Sequence, residues 1–184
     1  MVEEVSVLWT PGPDVHGDRQ MEIDKQMAAA AVATGRIFAR LYHFTPPCIS
    51  LGCFQKEEEI DRARCEATGI DITRRPTGGR AVLHKGDLVY SMAMPSKHKD
   101  ERVGKALFNI DVYNLVSQAL IGAMSSLGID AHSPAGLNGN RQERSEHARL
   151  CFSSTTRHEV QVQGRKVVGS AQRWYRNVVL QHGS

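Results

Sequence analysis

The run of residues 74–84 constrains the fold of this chain more than any other stretch. It places two arginines before a Pro-Thr-Gly-Gly turn, which leads into a short apolar stretch that ends at His84. The preceding residues 69–73 alternate between apolar and polar side chains, which is typical of a strand. The pattern therefore predicts a strand, a tight turn and a second strand.

The composition of the turn favours binding of an anion or a polarised carbonyl. Glycines let the backbone approach a ligand closely and aim N–H groups at it, and Arg74 and Arg75 offer forked donors for a carboxylate, carbonyl or phosphate. A simple hairpin with solvated arginines fits these residues equally well. The run is neither a P-loop, because no Gly-Lys-Ser/Thr follows, nor a dinucleotide-binding fingerprint, because no helix signal follows the glycines.

Length and composition indicate one globular domain. The chain has 184 residues, of which 41% are hydrophobic, enough for a single core. No apolar stretch approaches the roughly 20 residues that span a bilayer. The N-terminus carries Glu3 and Glu4 instead of a basic secretory region, which predicts a cytoplasmic protein without a membrane partner.

Charge and cysteine spacing exclude two further classes. The net charge of +3 is spread along the chain, and the basic cluster on the turn is too small to indicate a nucleic-acid partner. The cysteines at 48, 53, 65 and 151 form no Cys-x-x-Cys pair, which argues against a structural zinc site. We therefore expect reduced thiols and no metal.

Periodicity predicts a mixture of helices and strands. Helices are expected at 18–36, 57–68 and 110–127, the last with an apolar face of Val112, Val116, Ala119, Leu120, Ala123, Met124 and Leu127. Strands are expected at 5–9, 37–44, 48–51, 69–73, 88–94, 160–162, 165–168 and 177–181, with a hairpin turn at Gln163-Gly164. Residues 138–149 are polar and aperiodic, which predicts a surface loop or a lid.

Several short motifs match one enzyme family in a fixed order along the chain. They are Met21-Glu22-Ile23-Asp24, Ser50-Leu51-Gly52-Cys53-Phe54-Gln55, the run 74–84, Leu88-Val89-Tyr90-Ser91, Leu150-Cys151-Phe152, residues 164–173, and Leu180-Gln181-His182-Gly183-Ser184. With these motifs the chain resembles the lipoate-protein ligases and the lipoyl or octanoyl transferases. That family attaches an eight-carbon acyl chain to a lysine of lipoyl carrier domains.

The resemblance implies a fold and a domain organisation. The expected fold is mixed α/β (α+β), with a largely antiparallel sheet flanked by helices, of the biotin/lipoate-ligase kind that resembles class II synthetases. Residues 1–184 are expected to form one catalytic domain. The chain looks short at its C-terminus, because related sequences continue beyond the motif at 180–184.

The cysteine in the Cys-Phe motif is similar to that of the octanoyltransferase branch. The resemblance implies that Cys151 takes octanoyl from octanoyl-acyl carrier protein as a thioester and passes it, or a lipoyl group, to a lysine. The expected acceptors are lipoyl domains of 2-oxoacid dehydrogenase complexes or the glycine-cleavage H protein. Thioester exchange needs no ATP or other cofactor. Lys166 is expected to point at the acyl carbonyl, and its charge would lower the thiol pKa.

The resemblance also assigns substrate-binding residues to the turn and to the C-terminal strands. They are Arg74, Arg75, Thr77, Gly78, Gly79, His84, Gly169, Ser170, Ala171, Gln172 and His182. Without the family match, a buried cysteine, a solvated lysine and structurally satisfied histidines are the commoner explanation.

Four alternatives stay open at this point. An ATP-dependent lipoate-protein ligase would need ATP and Mg, but ligases carry a third glycine where this chain has Arg80, and an Asp at the position of Lys85. Lys85 departs from both branches. An amidotransferase would differ only in its acyl donor, and a biotin ligase is disfavoured because its Gly-Arg-Gly-Arg loop is absent. An inactive acyl-binding module would bind acyl groups without turnover.

Overall fold

The computed structural model describes residues 7–96, 99–100, 105–106, 109–133 and 160–184. In chain order the elements are β1 Val7–Pro11, α1 Gly17–Thr34, β2 Ile37–Tyr42, β3 Cys48–Leu51, a 3₁₀ turn Glu57–Glu59, α2 Arg62–Ala67, β4 Asp71–Arg74, β5 Val82–His84, β6 Val89–Pro95, β7 Lys99–Asp100, β8 Lys105–Ala106, α3 Asn109–Ser126, β9 Ala131–His132, β10 Val160–Val162, β11 Arg165–Val168, β12 Ser170–Trp174 and β13 Val178–Gly183. The chain divides into two compact units, residues 1–106 with 171–184, and residues 107–170.

The first unit is built on a five-stranded sheet in the order β1-β2-β6-β13-β12. Strands β2 and β6 and strands β6 and β13 pair antiparallel, while β1 lies parallel to β2. Helix α1 contributes the apolar side chains that cover this sheet. The buried cluster consists of Met27, Ala28, Ala31, Ala93, Val178 and Leu180. The expected mixed fold with a largely antiparallel sheet is therefore confirmed.

A second sheet of this unit, in the order β4-β3-β5, carries the arginine-glycine run. Strand β3 lies between the other two, parallel to β4 and antiparallel to β5. The predicted strand, turn and strand are confirmed, but the simple hairpin is wrong because the two strands that flank the turn do not pair. The turn at 75–81 therefore crosses over the end of β3.

Local signals explain where the helices begin and end. Helix α1 ends at Gly35, which has a left-handed φ of 69° and donates its N–H to the Ala31 carbonyl. The predicted helix at 57–68 is interrupted. Its acidic start forms the separate 3₁₀ turn, because Asp61 caps α2 by accepting a hydrogen bond from the Arg64 N–H.

The second unit contains α3 and the strands β9, β10 and β11. The β10–β11 hairpin turns at Gln163-Gly164, where both residues have positive φ, 50° and 72°, as a type I′ turn requires. Helix α3 buries Val112 and Val116, but the predicted apolar face includes residues that are not buried. Ala119 and Ala123 on the helix, and Leu127 just after its end, are exposed.

Two expectations concern residues outside the described ranges. The loop or lid at 138–149 and the nucleophile Cys151 both lie in the stretch 134–159. Among the residues that the structure does describe, no helix is long and apolar enough to cross a membrane.

Candidate active site

The guanidinium of Arg75 shapes the turn that follows it. Its Nε and Nη2 donate to the Gly78 carbonyl at 3.2 and 2.8 Å, and Nη2 also donates to the Arg80 carbonyl at 2.7 Å. Its Nη1 donates to the carbonyl and the hydroxyl of Ser50, at 2.6 and 3.2 Å. Each of its three nitrogens thus donates to protein oxygens, so Arg75 fixes the shape of the turn.

Arg74 ties the start of the turn to the segment after β3. Its Nη1 donates to the carbonyls of Gly52 and Gln55, at 3.0 and 2.6 Å, and its Nη2 lies 3.3 Å from a carboxylate oxygen of Glu57. Both arginines were expected to serve a ligand. In the structure most of these hydrogen bonds go to backbone carbonyls, the same kind of acceptor as an acyl carbonyl, and the others go to the Glu57 carboxylate and the Ser50 hydroxyl.

Close backbone packing completes the attachment of the turn to β3. A Cβ added at Gly52 would lie 1.9 Å from the Gly79 carbonyl oxygen, so the two glycines meet where no side chain fits. The Cys53 N–H donates to the Thr77 carbonyl at 3.0 Å. From the other side, the Arg173 Nη1 donates to the Pro76 carbonyl at 3.0 Å. The turn is therefore held at both ends and along its length.

The backbone N–H groups of Gly78 and Gly79 are directed away from these attachments. Within the described part of the chain, neither N–H has a hydrogen-bond acceptor. A Cβ added at Gly78 would meet no atom within 4 Å, and Gly79 has a φ of 95° that favours glycine. Two adjacent backbone N–H groups without an acceptor inside the protein are the kind of donor that can stabilise a developing oxyanion.

A buried hydrogen-bonded network links Thr77 to α1 through His182. The Thr77 hydroxyl lies 2.5 Å from His182 Nε2, and His182 Nδ1 lies 3.1 Å from the Asp24 carboxylate. The same carboxylate accepts hydrogen bonds from Arg40 and Ser91, both at 2.6 Å. Thr77 and Asp24 are 0% exposed, so the Thr77 hydroxyl is committed to the protein and fixes the turn to the core.

Electrostatics keep the Asp24 carboxylate ionised inside the fold. Burial alone would raise its pKa, but the hydrogen bond and charge of His182, the Arg40 guanidinium and the Ser91 hydroxyl together lower the pKa below its ordinary value. Arg40 in turn is 1% exposed and donates to Gln20 as well as to Asp24. This buried pair is hydrogen-bonded on both sides, which is the condition for burying two charges.

His84 stands at the end of β5 in a second buried arrangement. Its Nε2 lies 2.9 Å from the Ser50 hydroxyl, and its Nδ1 lies 2.7 Å from the Asp87 carboxylate. Burial alone would raise the Asp87 pKa, but its hydrogen bond to His84 contributes to lowering it. A carboxylate thus reaches His84 from Asp87, although Lys85 stands where ligases carry one.

The remaining predicted site residues fall in both units. In the first, the Gln172 amide donates to Gln181 at 2.5 Å and accepts from the Trp174 indole at 3.0 Å, and Ala171 precedes it on β12. In the second, Lys166 lies on β11, followed by Gly169 and Ser170, and all three are half-buried. Cys151 is outside the described residues, so its role and that of Lys166 stay predictions.

Four residues that shape the site carried no role in the sequence analysis: Asp24, Arg40, Ser50 and Asp87. A signal for Asp24 exists, because it shares the apolar face of α1 with Met21, Met27 and Ala28 at helical spacing. A carboxylate on such a face must find a partner. The identity of that partner depends on contacts between residues far apart in sequence, which a local pattern does not reveal.

Comparison with known proteins finds relatives along most of the chain. Residues 17–184 match the family model described as lipoyl protein ligase A/B catalytic domain. The octanoyltransferase LipM of Carboxydothermus hydrogenoformans is 37% identical over 170 residues, which cover 91% of this chain and 60% of that protein. The octanoyltransferase LipM of Clostridioides difficile is 40% identical over 147 residues, covering 79% and 52%. The matches therefore span roughly half of each relative's length.

Solved structures confirm the expected fold. A lipoate-protein ligase A bound with ATP superposes with a TM-score of 0.70 at 23% identity, covering 98% of this chain and 65% of that one. A bi-partite lipoate protein ligase from Thermoplasma acidophilum gives 0.62 at 22% identity, covering 98% and 60%. At these identities the likeness concerns the fold alone.

Proposed function

Because this chain belongs to the family of lipoyl protein ligase A/B catalytic domains, we propose that it is a protein octanoyltransferase. It takes octanoyl from octanoyl-acyl carrier protein and passes it to a lysine of a lipoyl domain or of the glycine-cleavage H protein. The observation that carries the proposal is the turn at Gly78-Gly79, whose two N–H groups have no hydrogen-bond acceptor within the described part of the chain. The printed names of the relatives, octanoyltransferase LipM, support the same reaction.

The proposed reaction proceeds in two balanced steps. The Cys151 thiolate attacks the carbonyl carbon of the donor thioester, the carrier thiolate leaves, and Cys151 holds octanoyl as a new thioester. The neutral amine of the acceptor lysine then attacks that thioester, an amide forms, the amine proton passes to solvent, and Cys151 leaves as a thiolate. The first step converts one thioester into another of similar energy, and the second converts a thioester into a more stable amide. The reaction sequence therefore consumes no nucleotide.

The turn and Lys166 supply the electrostatic part of this proposal. As each attack places negative charge on the carbonyl oxygen, the Gly78 and Gly79 N–H groups donate to it, and the Lys166 ammonium adds a positive charge. One such donor is worth about 10²- to 10³-fold in rate. The octanoyl chain contributes roughly 5–6 kcal/mol of binding at most, at about 0.8 kcal/mol per buried group. The polar contacts therefore orient the acyl carbonyl, whereas burial of the octanoyl chain supplies most of the affinity.

The described cysteines differ in their suitability as nucleophiles. Cys48 is fully buried, and burial together with the nearby carboxylates of Asp71 and Asp18 raises its thiol pKa to about 12. Cys65 is buried as well, while Cys53 is half-buried beside the turn. Because Cys53 is the more accessible thiol, it serves as the matched control for Cys151.

Intact mass spectrometry after incubation with octanoyl-acyl carrier protein, without ATP, tests the proposal. Wild type and Cys53→Ser are expected to gain one octanoyl group that hydroxylamine removes, and Cys151→Ser is expected to gain none. Adding a lipoyl domain should then move the group to its lysine. Octanoyl-H protein as the donor in a parallel reaction separates a carrier-to-carrier amidotransferase from the proposed enzyme.

The ATP-dependent ligase is the second candidate, because the solved structures of this fold include lipoate-protein ligases. The ligase reaction would use ATP and Mg to activate the free acid. Arg80 stands where ligases carry a third glycine, and a side chain there crowds a nucleotide phosphate. Acyl transfer that needs ATP and free acid would overturn the transferase in favour of the ligase. Acyl binding without transfer under either condition would indicate a binding module.

A further inference from the structure

The His84 ring is fixed by partners on both nitrogens and by an aromatic neighbour. Asp87 lies 2.7 Å from Nδ1, Ser50 lies 2.9 Å from Nε2, and the Phe44 ring packs at 4.5 Å between centroids. Ser50 is 2% exposed, whereas Asp87 is 32% exposed and retains contact with solvent. The carboxylate is therefore the outer end of a chain of hydrogen bonds that leads into the fold.

The chemistry of the partners decides where the His84 proton lies. An ionised carboxylate can only accept a hydrogen bond, so Asp87 requires a proton on Nδ1. In the neutral imidazole, Nε2 is then an acceptor, and the Ser50 hydroxyl donates its proton to it. The lone pairs of the Ser50 oxygen are thereby directed at the donor on its other side, which is Arg75.

Arg75 links the Ser50 hydroxyl to the turn. Its Nη1 donates to the Ser50 hydroxyl and carbonyl, and its other two nitrogens hold the Gly78 and Arg80 carbonyls. Each peptide unit is planar, so fixing the Gly78 carbonyl also fixes the direction of the Gly79 N–H. The orientation of this proposed oxyanion donor thus depends on a chain that begins at Asp87.

We propose that Asp87 and Ser50 are positioning residues for acyl transfer. Asp87 holds His84 in its Nδ1–H form, and His84 in turn orients the Ser50 hydroxyl. Ser50 then positions the Arg75 guanidinium, which directs the Gly-Gly turn at the acyl carbonyl. Neither residue touches the substrate. The role rests on the proposed octanoyl transfer, but the arrangement of the His84 proton can be measured without any substrate.

The first measurement is the tautomer of His84. Long-range ¹H–¹⁵N correlation spectra at alkaline pH distinguish Nδ1–H from Nε2–H imidazole, and loss of the signals in His84→Gln assigns them. The wild type is expected to show Nδ1–H. Asp87→Asn removes the obligate acceptor, because its amide can donate to Nδ1, and is expected to shift the population towards Nε2–H. Asp87→Glu should retain Nδ1–H.

The second measurement is the single-turnover rate constant of octanoyl uptake, which does not depend on the fraction of protein that is folded. Asp87→Asn and Ser50→Ala are each expected to slow uptake by roughly 3- to 10-fold, the size of one lost hydrogen bond. Asp87→Glu is expected to restore most of the rate. Asp61→Asn, an exposed helix cap that asparagine replaces well, is the matched control and should equal the wild type.

The two measurements separate failure of the role from failure of the reaction. A wild-type His84 with its proton on Nε2 would overturn the positioning role whatever the activity. So would an Asp87→Asn variant that changes tautomer and yet takes up octanoyl at the wild-type rate. A wild type that takes up no octanoyl at all, with His84 in the Nδ1–H form, would instead overturn the proposed function and, with it, the catalytic part of this inference.

Discussion

Thr77 and His182, which are 105 positions apart in sequence, meet with 2.5 Å between the hydroxyl and Nε2. The opposite nitrogen of His182 reaches the Asp24 carboxylate on α1. One imidazole thus joins the turn, the last strand of the sheet and the first helix. Thr77 was expected to bind the substrate, but its hydroxyl holds the turn in place, whereas the Gly78 and Gly79 N–H groups have no acceptor among the described residues.

Removing the Thr77 hydroxyl should cost stability because it leaves a buried nitrogen without a partner. Thr77→Val keeps the shape of the side chain and is expected to lower the free energy of unfolding by about 1–3 kcal/mol. Thr77→Ser keeps the hydroxyl, loses one methyl group and should cost about 0.5–1.5 kcal/mol. Urea unfolding measures both. A Val variant as stable as the wild type would show that the contact with His182 contributes nothing.

The buried Arg40–Asp24 pair should matter far more than an exposed pair of the same chemistry. Arg40→Met is expected to lower the free energy of unfolding by about 3–5 kcal/mol, because it leaves a buried carboxylate without its counter-charge. Arg62→Met removes a pair with Glu57 whose side chains are 62% and 49% exposed, and its effect should be several-fold smaller. Equal losses in urea unfolding would contradict this difference.

Local sequence signals account for much of the fold. Strand β3 begins and ends at the predicted residues 48 and 51, and α1 differs from its prediction by one residue at the start and two at the end. The β10–β11 hairpin also forms where Gln163-Gly164 predicts it. In each case the deciding interaction lies within a few residues: helical periodicity, strand composition or a turn with positive φ.

The site depends on interactions that no such signal contains. Strand β3 pairs with both strands that flank the turn, so these two strands do not pair with each other as a hairpin would require. The Asp24–His182 contact spans 158 positions, and its geometry exists only once the sheet has formed. Two arginines beside glycines predict donors, but the acceptors of Arg75 are set by tertiary packing. The sequence thus indicates which residues matter, while the fold decides which of them face outward.

The two glycines of the turn should respond differently to the same substitution. Gly78→Ala places a methyl group in open space, so the free energy of unfolding should change by less than about 1 kcal/mol while octanoyl transfer slows. Gly79→Ala meets Arg75 Nη2 at 2.8 Å and has a φ of 95°, so it should cost about 1–3 kcal/mol. Unfolding and transfer assays on both variants check this. Gly78→Ala keeps the backbone N–H and adds a methyl group beside it, so unchanged transfer in a stable variant would show that the acyl carbonyl does not approach the turn at Gly78.

Acid should remove the stability that Asp24 supplies. Although burial alone would raise its pKa, the interactions with His182, Arg40 and Ser91 hold that pKa below the ordinary value of 3.8. The unfolded chain therefore takes up the proton more readily, so the contribution is complete well above pH 3.8 and is lost as the pH falls through the folded-state pKa.

Urea unfolding of wild type and Asp24→Asn across acidic pH tests this. The difference between the two free energies of unfolding should shrink as the pH falls below 3.8, because there the unfolded chain takes up the Asp24 proton before the folded protein does. The variant's own loss from an uncompensated Arg40 is present at every pH and does not alter this trend. A difference that stays constant or grows on acidification would mean that the carboxylate is not held ionised by its partners.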